Sequence, residues 1–368
     1  MALRMNGNEE SQGLFSGMRS YLPIESGNYP YVVARVKARK RFLFASETYA
    51  RMLKMGVSEI LRLIQEGDYR KEVNELAQRY AGVELLERAT RTNLARVYQK
   101  IIGFSEGDLR QMLEAYSSKW DLWNVKTVLR GKFYGATAET IYGELVPAGA
   151  CSPDFLRKLS QADGLPAVVD LLEDTVYGKP LEPLLEKKPE ELKDLSRYED
   201  TLSQVYYAYL LEAAAGGSEG TLIFRSFLHR EIEVRNLLTL LRVCGGKVAV
   251  DWELFLPGGT ELTVEELKRL SQLDILGISR ELKGYAFSEI LQAHLGEVVQ
   301  RGLNPVTRAL EKWYLAEATR HSHEYPLSVL PVLDYMVRKE TETDNLRIIG
   351  RGKVDGLSEE TIKELLVI

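Results

Sequence analysis

Arg130-Gly131-Lys132 and Arg351-Gly352-Lys353 each set a glycine between two cations, and Gly245-Gly246-Lys247 is a near relative. Such triplets could cradle a phosphate. A phosphate-binding loop needs another glycine five positions before the Gly-Lys pair and a hydroxyl residue directly after the lysine. Lys126, Leu241 and Arg347 occupy the first of these places, and Phe133, Val248 and Val354 the second. All three sites fail the nucleotide test, and helix capping is the reading the residues favour. Other chemistry is equally hard to assemble. His229, His294, His321 and His323 have no cysteine at a zinc-site spacing. No serine sits in a Gly-x-Ser-x-Gly elbow. The many carboxylates include no pair that stands out as acid and base. Catalytic, cofactor-binding and metal-binding residues are therefore all left unassigned, and no cofactor is expected.

The triplets belong to something larger. Asp121, Asn124, Arg130 and Gly131 recur as Glu233, Asn236 and Arg242, and again as Glu342, Asn345, Arg351 and Gly352. Each copy has an acid three residues before an asparagine and an arginine six after it, and closes on Gly and Lys. The asparagines are 112 and then 109 residues apart. Two echoes keep this register. Lys158-Leu159-Ser160-Gln161-Ala162-Asp163 returns as Arg269-Leu270-Ser271-Gln272-Leu273-Asp274, and Gly135-Ala136-Thr137 returns as Gly356-Leu357-Ser358. Internal repetition is read first because it decides the architecture. A period this long makes each unit a small helical subdomain and the chain a pseudo-threefold object. Such an object suits a partner that is itself a ring or an axle.

The motif makes sense as a helix end. Val125, Val128 and Leu129, then Leu237, Leu240 and Leu241, form the buried stripe of an amphipathic helix. Leu346, Ile349 and Gly350 weaken it in the last copy. Acid and asparagine share one face, where a buried asparagine could hold a neighbouring loop. The three asparagines are expected to play equivalent roles. Gly131 and Gly352 suit the left-handed residue just past a helix, and the cations suit its negative pole. Whether the arginines serve a cap, an interface or both stays open.

The chain is read as helical from Tyr31 onward, with one long helix through Leu85, Ala89, Leu94, Tyr98 and Ile101. Further long helices are expected near 195–215, 221–243, 304–320 and 327–349. Residues 247–255 alternate too weakly to support a sheet. Residues 1–26 read as a flexible tail. The divisions expected are 27–131, 132–243 and 244–368 for three helical subdomains. The segments 133–150, 248–265 and 354–362 follow each motif and are expected to form one rim.

With 368 residues and a net charge of −5, the chain lacks the strongly basic balance of a nucleic-acid binder. Two cysteines, Cys151 and Cys244, imply no disulfide framework. No apolar run reaches the roughly 18–20 residues of a membrane span, and no signal peptide is visible. A cytoplasmic protein is expected. Arg35, Lys37, Arg39, Lys40 and Arg41 put five cations in seven residues. They are a candidate interface with acidic loops or anionic headgroups, or else a solvated helix face. Trp120 and Trp123 are expected to pack in the core. Of Tyr206, Tyr207 and Tyr209, at least one should be exposed or interfacial.

The stretch Ala115-Tyr116-Ser117-Ser118-Lys119-Trp120-Asp121-Leu122-Trp123-Asn124-Val125-Lys126-Thr127-Val128-Leu129-Arg130-Gly131-Lys132 carries a family resemblance. Glu66-Gly67-Asp68-Tyr69, Thr92-Asn93-Leu94 and Tyr31-Val32-Val33-Ala34-Arg35-Val36 support it. The chain resembles the C subunit of the A/V-type ATP synthases, the homologue of the d subunit of vacuolar ATPases, from about Asn28 to Ile368. The resemblance implies an all-α fold of three similar subdomains in a pseudo-threefold funnel. It implies a non-catalytic rotor component, one copy per complex, on the inner face of the cell membrane. Its partners would be the central axle subunits of the catalytic head and the membrane proteolipid ring, with no nucleic acid. The alternative is a stand-alone helical scaffold or adaptor for another ring or coiled-coil partner.

Overall fold

A computed structural model describes residues 27–185, 195–246 and 254–368. The tail 1–26, Lys247 and most of the weakly alternating stretch 247–255 lie outside the described residues. The regular elements among the described residues are all helices, from Tyr29–Lys40 to Glu359–Leu365. The expected long helix is Gly82–Gly103, and it buries Leu85, Leu86, Ala89, Leu94, Val97, Tyr98 and Ile101. Four more span Ser196–Ala213, Glu219–Gly246, Asn304–Glu324 and Leu330–Val354. Four of the short helices start on hydroxyl caps. Thr137, Ser152, Thr263 and Ser358 each accept the backbone N–H three residues on, at 3.1–3.2 Å. These hydroxyls satisfy N–H groups that the first helical turn leaves without partners.

The chain divides into two compact units. One is residues 118–209; the other joins residues 26–117 to 210–368. The divisions expected at 131/132 and 243/244 fall inside the continuous helices Lys119–Phe133 and Glu219–Gly246. The reason is visible in the cores. The apolar stripes of the first and second motifs each start a core whose other members lie downstream, so these motifs open a unit and do not close one.

Among the described residues each of the three motif stripes belongs to a core. Val125, Val128 and Leu129 meet Ile141, Leu159 and Leu181. Leu237, Leu240 and Leu241 meet Leu267, Leu282 and Leu310. Leu346 and Ile349 meet Ile362 and Leu366, and then Ile60, Ile64 and Leu86 from the far end of the sequence. The first two cores are contiguous in sequence; the third is assembled from residues 49–89 and 346–366. Its order of elements follows the others only if the segment from Ser46 is read after Leu365. The helices are then a motif helix, several short helices and one long closing helix, which is Ser196–Ala213, Asn304–Glu324 or Gly82–Gly103. Gly350 explains why the third stripe looks weak. A Cβ there would come within 2.8 Å of Leu86, so the missing side chain is the space the long helix fills.

Candidate functional site: the repeated helix end

Each motif asparagine is buried and bonds both backbone groups of one downstream residue. Asn124 Nδ2 donates to the Val146 carbonyl and its Oδ1 accepts the Val146 N–H, both at 2.8 Å. Asn236 does the same with Leu256 at 2.8 and 2.8 Å, and Asn345 with Val367 at 2.7 and 3.0 Å. A carboxamide is the one short side chain with both a donor and an acceptor in this fork. It satisfies both backbone groups of a residue that has left its helix and entered the core. Aspartate could not donate, and glutamine would place the fork a methylene too far.

The acids hold the next turn of the same segment. Asp121 accepts the N–H groups of Ala150 at 2.8 Å and Cys151 at 2.9 Å. Glu233 accepts those of Thr260 at 2.9 Å and Glu261 at 2.7 Å. Glu342 takes one backbone donor, Phe44 at 2.7 Å, from a residue 298 positions earlier. Its other oxygen accepts from Tyr69 Oη at 2.6 Å and Lys339 Nζ at 2.8 Å. Burial pushes the Asp121 carboxyl up from the usual carboxylate range, against the pull of its two backbone donors. Burial, with Asp121 beside it, also pushes the Cys151 thiol up, which makes it inert and not a reactive nucleophile.

The cations reach outward to neighbouring helices. Arg130 makes a forked pair with Glu199, its Nη2 at 2.7 Å, at the start of the closing helix Ser196–Ala213. Arg351 forks onto Glu87 at 2.6 and 2.7 Å, near the start of the closing helix Gly82–Gly103. Arg242 is exposed, with no carboxylate partner among the described residues. Lys132 Nζ donates to the Ser160 carbonyl at 2.6 Å and Lys353 Nζ to the Leu53 carbonyl at 2.7 Å. These carbonyls lie at the ends of short helices, where backbone acceptors lack intrahelical donors. In the first and third copies the cations thus serve other helices' ends and not their own.

The expectation of a left-handed Gly131 and Gly352 is corrected. Both lie inside helices that run on to Phe133 and Val354. They are small because a Cβ would sit 2.4 Å from Ile141 or 2.7 Å from Ile362. The left-handed residues come four later, at Gly135 (φ 73°) and Gly356 (φ 71°).

Sequence reasoning missed the partners of the asparagines, although a signal was present. Leu145-Val146 and Leu366-Val367 stand 221 residues apart, in register with the other echoes. It also missed Tyr69 and Tyr177, each fully buried in its own core beside the motif acid. Burial raises both phenols, and Glu342 or Asp121 adds to the effect.

The five-cation segment separates into two groups. Lys40 pairs with buried Asp334, and Arg39 bonds the Tyr335 phenol. Arg35, Lys37 and Arg41 stay exposed on the Tyr29–Lys40 helix and its end. The tryptophans are not core residues as expected. Trp123 is exposed and Trp120 half-buried, with their rings 6.5 Å apart edge to face. Tyr206 and Tyr207 are buried and Tyr209 is half-buried. His321 lies between Glu317 and Glu324 on the Asn304–Glu324 helix, while His323 points elsewhere and is exposed. Among the described residues, no three His, Cys, Asp or Glu side chains gather to hold a metal, and no helix is long and apolar enough to cross a membrane.

The chemistry of the repeated site is therefore that of a fastener: one amide fork and one buried acid in every copy, with two cations added in the first and third, join a helix end to the segments around it. Comparison with known proteins places this pattern. The family model of the ATP synthase (C/AC39) subunit matches residues 32–365. The C subunit of the A-type ATP synthase of Methanococcoides burtonii is 37% identical over 346 residues, 93% of this chain and 95% of the relative. Its counterpart in Archaeoglobus fulgidus is 37% identical, covering 92% of this chain and 96% of the relative. That of Haloferax volcanii is 34% identical, covering 93% and 98%. With nearly its whole length matched by the family and by such relatives, this chain belongs to the ATP synthase C/AC39 subunit family.

Proposed function

We propose that this chain is the non-catalytic central-stalk component of an A/V-type ATP synthase. It couples the axle of the soluble catalytic head to the membrane proteolipid ring, so that ATP synthesis or hydrolysis is linked to proton or sodium transport. The observation that carries this reading is the family match across residues 32–365. In this reading the three motif-led units form a pseudo-threefold funnel, one copy per complex, peripheral on the inner face of the cell membrane. The funnel receives the axle on one side and the ring on the other.

The fasteners support a mechanical role. A part that passes torque must not yield between its own segments, and each unit is bolted by buried bonds to backbone that cost about 1–3 kcal/mol per group when left unmade. Exposed ion pairs, at about 0–1 kcal/mol each, could not do this. The turns after the first and third motifs carry exposed apolar side chains. Tyr134 is 76% and Val354 60% exposed, one and two residues before their left-handed glycines. We assign these turns, with the segments 133–150, 248–265 and 354–362, to the rim that meets the ring. Residues 248–253 of that rim lie outside the described residues. Similar contacts offered by several units add up by multivalency.

The test is a tagged pull-down from gently detergent-solubilised membranes with identification of the co-purifying chains. Recovery of both the axle subunits and the proteolipid is expected. Recovery of neither by a folded, helical protein overturns the reading in favour of an adaptor.

A further inference from the structure

The exposed side of the first helix is chemically unlike the rest of this acidic chain. From Tyr29 to Ser46 there is no aspartate or glutamate. Val32, Val33 and Val36 anchor the helix inward. Outward lie Tyr31, Arg35, Lys37, Ala38, Arg41 and Phe42, all exposed. Tyr31, Arg35, Ala38 and Phe42 follow a spacing of four, three and four, so they fall along one stripe.

Two buried acids close to the helix are already used. Asp334 is taken by Lys40 and by Arg338 at 3.0 Å, and Asp108 accepts the Gly27 N–H at 2.7 Å. Arg35, Lys37 and Arg41 have no carboxylate partner among the described residues. Two of them lie on rings instead. The Arg35 guanidinium sits 4.6 Å from the Phe104 ring centre and 5.2 Å from that of Tyr31, and Arg41 sits 4.7 Å from that of Phe42. The rings at the two ends of the stripe stay open, Tyr31 at 50% and Phe42 at 45% exposure.

We propose that the exposed side of this helix and its end, with Arg35 on the stripe and Lys37 and Arg41 beside it, is a docking surface for anionic phospholipid headgroups. Three unneutralised cations suit phosphates. Aromatic rings at the ends suit the shallow boundary where headgroup meets acyl chain. Tyr31 and Phe42 stand about 16 Å apart along the chain axis, at about 1.5 Å per residue. That spacing suits a fluid surface that adapts to a row of charges more than it suits one inserted side chain. An acidic protein is the competing partner and is separated by the test. The surface does not depend on the coupling role proposed above, because the test uses the isolated full-length chain.

The experiment is co-sedimentation of that chain with vesicles of phosphatidylcholine alone, or with one third phosphatidylglycerol, at low and high salt. Binding to the anionic vesicles only, and its loss at high salt, is expected. Reversing Arg35, Lys37 and Arg41 to Glu should weaken partition at least roughly 100-fold, at about fivefold for each cation lost. Because Arg35 also packs on Phe104, the pair Lys37→Ala and Arg41→Ala provides a gentler variant. It should lose roughly 25-fold with unchanged helical circular dichroism. Tyr31→Ser with Phe42→Ser should weaken binding while leaving its salt dependence intact. Failure of the wild type to bind anionic vesicles, or equal binding by the folded Lys37/Arg41 variant, overturns the proposal and leaves the acidic-protein partner.

Discussion

The first and third motifs fasten the same kind of segment by different routes. In the first, the acid, the asparagine and everything they hold lie between Asp121 and Glu199. In the third, Asn345 holds Val367, but Glu342, Arg351 and Lys353 bind Phe44, Glu87 and Leu53, some 264 to 300 residues earlier. The side chains and their geometry are nearly the same; the covalent path is not. What specifies a unit is therefore the set of groups around its helix end, and loop connectivity only delivers them. The third site replaces one backbone donor with a phenol and a buried lysine, Tyr69 and Lys339. Tyr69 is a fixed part of the core, so this acid is held by packing as well as by backbone.

The comparison is broken most severely at the asparagines. Asn124→Ala and Asn345→Ala each leave a buried N–H and carbonyl unpaired, at about 1–3 kcal/mol per group. Denaturant unfolding should show losses of about 4 kcal/mol for both, and Asn236→Ala should match them. A loss below about 1 kcal/mol at one site alone would end the equivalence.

The arginines should separate the two routes. Glu87 is 5% exposed and its loss of Arg351 strands a buried carboxylate, whereas Glu199 is 22% exposed and wetter. Arg351→Ala is expected to cost about 2 kcal/mol, below the full value of a broken buried pair because Arg351 itself is partly solvated. Arg130→Ala should cost about 1 kcal/mol. Equal losses would show that burial of the acid does not set the scale.

A smaller effect tests the corrected role of the motif glycines. Gly131→Ala or Gly352→Ala should lose about 1 kcal/mol net, overpacking Ile141 or Ile362 against a gain in helix propensity. Adding Ile141→Val or Ile362→Val should recover part of that loss. A left-handed glycine would show no such rescue. Smallest of all, Arg242→Ala should stay within about 0.5 kcal/mol, as at an exposed site with no carboxylate partner among the described residues.

Much of this was legible from residues alone. The apolar stripe and the shared face of acid and asparagine follow from helical spacing, and both are found. What was not legible depended on tertiary distance. Gly131 looks like a helix stop because nothing in its neighbours reveals Ile141 above it. Gly350 looks like a weak core residue because Leu86, which fills its place, is 264 positions away. The divisions at 131 and 243 assumed that a motif ends a unit, since a linear reading does not show the segment from Ser46 completing the core begun at Leu346. Trp123 looked like core because large aromatic residues usually bury their area, but here its ring lies on the surface against Trp120.

The central claim is that this chain mechanically joins ATP chemistry to ion movement. The most direct measurement is ATP-driven ion uptake set against ATP hydrolysis in membrane vesicles depleted of the chain and then given it back. The account predicts hydrolysis without uptake in depleted vesicles, and recovery of uptake when the folded chain is restored. Undiminished uptake in vesicles that demonstrably lack the chain would contradict it.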